Sequence, residues 1–185
     1  MGSGNNQKLQ AALRLAEQGF YVFRLQRNGK KPFSTGWQQE ATRDPDSIHR
    51  LFSDHDFNIG VFTGQYSDFA ALFVVDVDTK EGKQGDSTIA EHEAYGNDFP
   101  PTWEATTASG GRHLFYTHPF PMSGGANKLG THVDVKSYGG YVVGVGSSID
   151  GKLYNWVPET LQYPTTTTPA PLPVELVSSG KGFQC

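Results

Sequence analysis

Cysteine is nearly absent from this sequence of 185 residues, because the single cysteine, Cys185, is its last residue. Disulfides within the chain and a zinc site built on several cysteines are therefore excluded, and a reducing compartment such as the cytoplasm is expected. Long hydrophobic runs are missing as well, since no apolar stretch approaches the roughly 20 residues of a membrane span. We therefore expect a chain that does not enter a membrane.

Positive charge is in the minority, with 15 Lys and Arg against 19 Asp and Glu and a formal net charge of −4. This balance argues against a protein that binds nucleic acid by bulk charge alone. The charges are unevenly placed, with four cations in residues 24–31 and eight acids in residues 76–104. Such a separation would suit a site where phosphates meet an acidic, cation-loaded centre, but from charge alone two ordinary solvated faces are the preferred explanation.

Apolar periodicity indicates few helices and many short strands. Helices are predicted at residues 7–18, after Asp44 with Pro45 in the first turn, and at residues 87–95. Strands are predicted at residues 21–25, 59–63, 69–77, 103–107, 112–117, 132–135, 141–145 and 153–157. This content indicates an α+β domain built on a mixed or antiparallel sheet.

The composition changes towards the end of the chain. The segment 163-YPTTTTPAPLP-173 is rich in proline and threonine and has no core-forming pattern. We therefore expect one folded domain over residues 5–158. Residues 159–185 are expected to be a linker and tail that lead to a further C-terminal region.

The run 71-ALFVVDVDTK-80 places two aspartates at the end of an apolar strand. Side chains at positions i and i+2 of a strand project from the same face, so Asp76 and Asp78 would stand side by side. Burying two adjacent carboxylates is costly unless a cation compensates the charge. Either the strand end emerges into water here, or the two aspartates bind a metal ion.

Three later segments carry polar or glycine-rich patterns. In 107-TASGGRHLFY-116, a tight glycine turn leads into Arg112 and His113, although a plain hairpin with a surface histidine would read the same way. In 131-THVDVKSYGGYVV-143, three polar residues alternate with valines, as they also would on a solvated sheet face: His132, Asp134 and Lys136. The segment 144-GVGSS-148 could contact phosphate.

In combination these segments favour a metal and phosphate site. Asp76, Asp78 and Asp134 would supply three carboxylates for one or two Mg²⁺ or Mn²⁺ ions, which prefer oxygen ligands. Three further side chains could neutralise a triphosphate: Arg112, His113 and Lys136.

The motifs resemble those of the prim–pol branch of the archaeo-eukaryotic primase superfamily, which is found in replication proteins of phages and plasmids. The resemblance is carried by VVDVD, SGGRH and VDVK followed by GGYVV, in the order of motifs I, II and III of that family. It extends to GKKP, NIGVFTG and GSS followed by YNW, and covers roughly residues 9–157. It implies a primase-like core with an RRM-like sheet and a template-directed nucleotidyl transferase, a DNA primase and polymerase that uses two metal ions.

The resemblance also implies roles for individual residues. The expected catalytic residues are Asp76, Asp78 and Asp134, which would bind the metal ions, and His113, which would meet the phosphates of the incoming nucleotide. The expected nucleotide-binding set adds Ser109, Gly111, Arg112, Lys136 and Tyr141. We assign sugar selection to Tyr141, with Tyr138 as the second choice. Lys30 and Lys31, on a turn beside the sheet, are expected to contact template or primer phosphates, although a solvated turn would have the same sequence.

The expected partners are template and primer DNA, incoming ribo- or deoxyribonucleoside triphosphates, and a helicase domain or protein. The expected location is the cytoplasm of a prokaryote or of a phage-infected host cell. Some relatives carry a zinc-binding stem, for which this chain lacks the cysteines, so priming would need another domain beyond the linker.

Two other classes remain open. A metal-dependent DxD glycosyltransferase would also hold a metal–diphosphate with paired aspartates, but it would ignore DNA. A nucleic-acid-binding module that kept the fold without catalysis is the other alternative. The presence of all three aspartates together with His113 argues against that module.

Overall fold

The computed structural model describes residues 3–53, 56–66, 70–120, 122–162, 168–173 and 176. Four α-helices lie in these ranges: α1 (Ser3–Glu17), α2 (Trp37–Glu40), α3 (Pro45–Phe52) and α4 (Gly85–Ala94). The strands are β1 (Phe20–Leu25), β2 (Asn58–Tyr66), β3 (Ala71–Val77), β4 (Trp103–Thr106), β5 (Arg112–His118), β6 (Val133–Lys136), β7 (Tyr141–Val143), β8 (Ser148–Ile149), β9 (Lys152–Leu153), β10 (Asn155–Trp156) and β11 (Ala170–Pro171). A 3₁₀-helix at Pro158–Gln162 precedes β11. None of the helices in the described ranges combines the length and apolarity needed to cross a membrane.

The larger N-terminal helices begin or end at clear sequence signals. The carboxylate of Asp44 caps α3 by accepting a hydrogen bond from the Ser47 amide at 2.9 Å, and Pro45 occupies the first helical position. After α1, Gly19 adopts a φ of +97°, which glycine tolerates better than other residues do. Both α1 and α3 pack on β1, next to each other.

Two main sheets and a small two-stranded sheet, β8-β9, are formed by the described residues. Of the two main sheets, the smaller sheet has the strand order β1-β2-β7, and the larger has the order β10-β4-β5-β3-β6. All these neighbours are antiparallel, whereas β11 joins β5 in parallel. Mostly antiparallel sheets with few helices confirm the predicted α+β class.

The central strand β3 separates two cores. Leu72 and Val74 face the first core, which they share with α1, α3 and the smaller sheet. Phe73 and Val75 face the second core, to which α4 and β6 contribute. Because side chains alternate along a strand, Asp76 follows Leu72 and Val74 onto the first face, where that core ends.

The predicted strand at residues 153–157 is interrupted. Leu153 pairs with β8 and Asn155 pairs with β4. Between them, Tyr154 exchanges backbone hydrogen bonds with Gly146 and Ser147 instead. The other predicted elements differ from the observed ones only at their ends, and Phe69, the predicted start of the third strand, lies outside the described residues.

Part of the predicted tail packs on the domain. Ala170 of β11 pairs with Tyr116 of β5, and the side chains of Ala170, Leu172 and Leu176 are buried in the second core. These contacts differ from the free linker that the Pro/Thr composition predicted. The boundary at residue 158 and a further C-terminal region remain predictions, and residues 163–167, 174–175 and 177–185 lie outside the described part of the chain.

Candidate active site

The two sheets enclose a pocket at the end of β3. Its volume is about 440 Å³, within the usual range of small-molecule sites. Strands and turns of both sheets contribute to its walls. The polar residues that line it are Lys30, Asp76, Asp78, Lys80, Thr107, Ser109, His113, Lys136, Tyr141 and Tyr154.

Strand pairing places Asp76 at the centre of a group of polar residues, because β3 lies between β5 and β6. The residue directly opposite Asp76 on β5 is His113, and the residue directly opposite on β6 is Asp134. Directly opposed residues of an antiparallel pair project from the same face of the sheet. Three residues that are far apart in the sequence therefore share one surface.

Asp76 is partly buried and close to cationic groups. The Nε2 atom of His113 lies 3.5 Å from Oδ1 of Asp76. Burial acts to raise the pKa of Asp76. The hydrogen bond and charge of His113, with the charges of Lys136 and Lys30, outweigh that effect and hold the pKa below its ordinary value. Asp76 is therefore ionised at neutral pH and able to attract a cation.

Asp78 lies just beyond the end of β3 and lines the same pocket. Its backbone N–H donates to the His132 carbonyl at 3.0 Å, and its own carbonyl accepts from the Gly85 amide at 3.1 Å. The Oδ2 atom of Asp78 lies 3.7 Å from Nζ of Lys83, a loose ion pair. The structure thus brings Asp76 and Asp78 to one pocket, while their role as metal ligands remains a prediction.

The carboxylate of Asp134 is engaged elsewhere. Its Oδ1 accepts a hydrogen bond from the Asn127 amide at 2.8 Å, and its Oδ2 accepts one from Nζ of Lys136 at 2.9 Å. Among the residues that the structure describes, no group of three or more His, Cys, Asp or Glu side chains is placed to hold a metal ion. In this structure Asp134 is paired with Lys136, and its role as the third metal ligand remains a prediction.

His113 lies against Asp76 but is only 4% exposed. Its ring packs edge-on against Phe115 and 6.0 Å from the ring of Tyr154. The Nε2 atom faces Asp76, whereas the Nδ1 atom is buried without a hydrogen-bond partner among the described residues. In this structure His113 therefore lies on β5 with its Nε2 atom facing the carboxylate of Asp76, and it favours the ionised form of that carboxylate.

The glycine turn before β5 forms another wall of the pocket. The hydroxyls of Thr107 and Ser109 lie 3.2 Å apart. A Cβ atom on Gly111 would lie 2.5 Å from the Val77 carbonyl oxygen, so only glycine lets the turn pack this closely against the end of β3. Ser109 and Gly111 both line the pocket.

Arg112 does not reach this pocket. It lies opposite Val77 on β3, so its side chain projects from the other face of the sheet than the side chain of His113. There its guanidinium group lies 2.6 Å from Asp86 and 3.6 Å from Glu104. The structure does not support the expected nucleotide contact of Arg112, because consecutive residues of a strand face opposite sides.

The basic turn between β1 and α2 separates its two lysines. Both lysines are exposed, but Lys30 lines the pocket and Lys31 does not. Arg24, in the same basic stretch, donates hydrogen bonds to both carboxylate oxygens of Glu40 at 3.1 and 2.7 Å. Arg24 is therefore engaged by an acidic residue, whereas the phosphate contacts of Lys30 and Lys31 remain predictions.

Tyr141 is the better placed of the two tyrosines assigned to the sugar. It lines the pocket, its hydroxyl donates to the Lys30 carbonyl at 3.2 Å, and its ring packs edge-on against Trp37. Tyr138 is 67% exposed and does not line the pocket. Burial raises the pKa of Tyr141, so its hydroxyl stays protonated at neutral pH.

Sequence reasoning missed Tyr154 and misread the segment 144–148. Ser147 is fully buried, and its Oγ accepts a hydrogen bond from the Ile59 amide at 2.8 Å, so this segment braces β2 rather than facing a phosphate. Tyr154 lines the pocket instead. The sequence signal that could have identified Tyr154 was the motif GSS followed by YNW, whose tyrosine is buried at the pocket.

Comparison with protein families identifies a match over most of the chain. The sequence model of the Prim-Pol family, described as the N-terminal part of bifunctional DNA primase/polymerases, matches residues 12–175. The matched range contains both sheets and every residue that lines the pocket. A search of curated proteins returned no match.

Proposed function

The chain belongs to the Prim-Pol family of bifunctional DNA primase/polymerases, and we propose that the pocket between its sheets is the active site of a template-directed nucleotidyl transferase. The family implies nucleotidyl transfer with DNA primase or polymerase activity. One observation supports the assignment to this pocket: Asp76 and Asp78 share it with Lys30 and Lys136. Carboxylates and ammonium groups in one cavity suit a metal-bound triphosphate, whose negative charge must be balanced.

The donor atoms of the pocket fit Mg²⁺ or Mn²⁺. Asp76 is ionised and Asp78 lines the same cavity, and Mg²⁺ is usually bound by one or two carboxylates together with water and substrate phosphates. Asp134, on the same sheet face as Asp76, would join them by releasing Lys136. A metal ion held there would activate the attacking hydroxyl and stabilise the charge on the leaving pyrophosphate.

The chain's own side chains would bind and orient the nucleotide. Lys30 and Lys136 would contact phosphate oxygens as ammonium groups. His113 lies beside Asp76, so a phosphate joined to that carboxylate through a metal ion would be next to its ring. Tyr141 would border the sugar and bias the choice between ribo- and deoxyribonucleotides.

Template and primer DNA would approach from the side of the basic turn. Lys31 is exposed there and is proposed to contact a backbone phosphate, which adds affinity without reading sequence. We place the activity in phage or plasmid replication, with a helicase as the proposed partner. The membership in a primase/polymerase family disfavours a glycosyltransferase.

A nucleic-acid-binding module without catalysis is the second candidate. The ion pair between Lys136 and Asp134 favours it, since this pair occupies the carboxylate that would be the third metal ligand. The presence of ionised Asp76 next to Asp78 in one pocket favours the enzyme. An assay of nucleotide incorporation separates the two candidates.

Primer extension on a defined template tests the proposal, with Mg²⁺ or Mn²⁺ and either set of nucleotides. We expect extension with nucleotides complementary to the template. Asp76→Asn and Asp78→Asn should each lower the rate more than about 100-fold, because loss of metal-held charge costs several kcal/mol in the transition state. Asp98→Asn is the matched control, because Asp98 is exposed and lies outside the pocket.

Binding of template DNA should survive both pocket substitutions, since phosphate contacts come from separate residues. Full extension activity in the double variant Asp76→Asn/Asp78→Asn would refute the assignment of the site. A wild-type chain that binds DNA but extends no primer with either metal would support the module without catalysis.

A further inference from the structure

With one exception, the buried tyrosines in the described part of the chain donate a hydrogen bond from the hydroxyl to a backbone carbonyl. Tyr66, Tyr116 and Tyr154 are each at most 3% exposed. The hydroxyl of Tyr66 donates to the Gln18 carbonyl and that of Tyr116 donates to the Pro100 carbonyl, both at 2.8 Å. A buried phenol ordinarily has such a partner, because a buried donor without one is destabilising.

Tyr154 is the exception. Its hydroxyl makes no hydrogen bond with the residues that the structure describes, yet it is not one of their sealed, unpaired polar atoms, and its side chain lines the candidate active site. Burial, with a smaller contribution from the charge of Asp76, raises the pKa of Tyr154 to about 12. The hydroxyl is therefore protonated at neutral pH, and it can donate a hydrogen bond to an acceptor that enters the pocket.

The backbone holds Tyr154 in this position. Its carbonyl accepts from the Gly146 amide and its N–H donates to the Ser147 carbonyl, both at 2.9 Å. Ser147 is in turn tied to Ile59 of β2 through its hydroxyl. A Cβ atom on Gly146 would collide with Ala11, so the segment packs on α1 only as glycine. The segment 144–148 thus positions a ring at the pocket and does not itself line it.

We propose that Tyr154 is a nucleotide-contacting residue whose hydroxyl donates a hydrogen bond to a phosphate oxygen of the incoming nucleoside triphosphate. The inference depends on the proposed function of the pocket and names one of its substrate contacts. The phosphate is the favoured acceptor because Tyr154 neighbours His113. This end of the pocket also holds Asp76, the proposed metal ligand, whose charge Lys30 and Lys136 oppose. Tyr141, which is proposed to border the sugar, lies on β7, whereas Tyr154 lies between β9 and β10.

The substitution Tyr154→Phe removes the hydroxyl and keeps the ring. The matched control is Tyr116→Phe, since Tyr116 is equally buried but lies outside this pocket and has a protein partner for its hydroxyl. Calorimetry with Mg²⁺ would measure the affinity of each variant for a deoxynucleoside triphosphate and for inorganic tripolyphosphate. Thermal melting and the affinity for a primer–template duplex complete the comparison.

Tyr154→Phe should weaken the binding of both probes about 10- to 100-fold, the effect of losing one hydrogen bond to a charged group. Its melting temperature should be unchanged or higher, because the lost hydroxyl had no protein partner. Tyr116→Phe should lower the melting temperature and leave both affinities unchanged.

Weaker binding of the nucleotide with normal binding of tripolyphosphate would place the hydroxyl on the sugar or base and overturn the phosphate contact. Normal binding of both probes by Tyr154→Phe would overturn the contact altogether. If Tyr154→Phe binds both probes normally while the wild type extends primers and Asp76→Asn does not, the proposed function stands and only the role of Tyr154 is overturned. If the wild type extends no primer, the proposed function has failed instead.

Discussion

At the scale of single residues, adjacent side chains of this protein have different surroundings. Lys30 and Lys31 are exposed neighbours on one turn, yet only Lys30 lines the candidate active site. The charge of Lys30 contributes to the low pKa of Asp76. The two lysines therefore have separate proposed partners, the nucleotide for Lys30 and the DNA backbone for Lys31.

Single alanine substitutions at the two lysines should separate these partners. Lys30→Ala should weaken the binding of a nucleoside triphosphate about 10-fold, because it removes a charged phosphate contact. Lys31→Ala should leave nucleotide binding unchanged and weaken DNA binding on all sequences, with a salt dependence of log affinity shallower by about 1. Each variant is the control for the other in calorimetry and in DNA titrations at several salt concentrations.

Equal effects of the two substitutions on nucleotide binding would contradict this division. If Lys31→Ala leaves the slope of log affinity against log salt unchanged, Lys31 belongs to a solvated turn and contacts no phosphate.

At the scale of secondary-structure elements, the N-cap residue Asp44 stabilises the first turn of α3. Asp44 accepts hydrogen bonds from the amide and the hydroxyl of Ser47, at 2.9 and 2.6 Å. The hydroxyl bond is the larger cause, and the two together hold the pKa of Asp44 below its ordinary value of 3.8. The cap orients α3, which packs on α1 and β1 through Ile48 and Phe52.

Asp44→Ala should lower the melting temperature at pH 7, because it leaves the amides of the first turn without an acceptor. The folded pKa is lowered, so the stability that ionised Asp44 contributes is present above pH 3.8. That contribution is lost as the pH falls through the lower folded pKa. The difference in melting temperature between wild type and Asp44→Ala should therefore narrow below pH 3.8.

Asp46→Ala is the control for this prediction, because Asp46 is exposed in the same turn and does not cap it. Asp44→Asn should retain much of the stability without the acid dependence, since an amide oxygen also accepts the capping bond. A difference between wild type and Asp44→Ala that stays constant from pH 7 to pH 3 would contradict the ionised cap.

At the scale of the whole molecule, residues near the C-terminus complete the second core. Ala170 of β11 extends the larger sheet beside Tyr116, and Leu172 and Leu176 are buried against the face of β3 that lies away from the pocket. The larger sheet is therefore covered on both faces, by the smaller sheet and α1 on one side and by α4 and these residues on the other.

Leu172→Ala should lower the free energy of unfolding by about 2–5 kcal/mol, the usual effect of emptying a buried leucine site. Leu153→Ala is the matched control, because Leu153 is 52% exposed and should change stability by less than about 0.5 kcal/mol. Urea denaturation followed by tryptophan fluorescence measures both. Equal stability of the two variants would show that the tail is dispensable, as expected for a free linker.

The sequence by itself determined the features that depend on near neighbours. The spacing of Asp76 and Asp78 places both beside one pocket, and the Asp44-Pro45 pair marks the start of α3. The motifs also led to the family, because their order and spacing are properties of the linear chain. The sequence also determined which sheet face Arg112 occupies, since strand alternation requires it to face away from its neighbour His113.

Only the tertiary structure decided which distant segments meet. Lys30 and Tyr154 enter the pocket from turns on either side of β3 in the sequence, and Lys136 both lines the pocket and neutralises Asp134. The burial of Leu172 likewise depends on a contact between the tail and β5. Local periodicity records which face a side chain occupies, but not which strands become neighbours. That pairing follows from the packing of the two sheets around their shared cores.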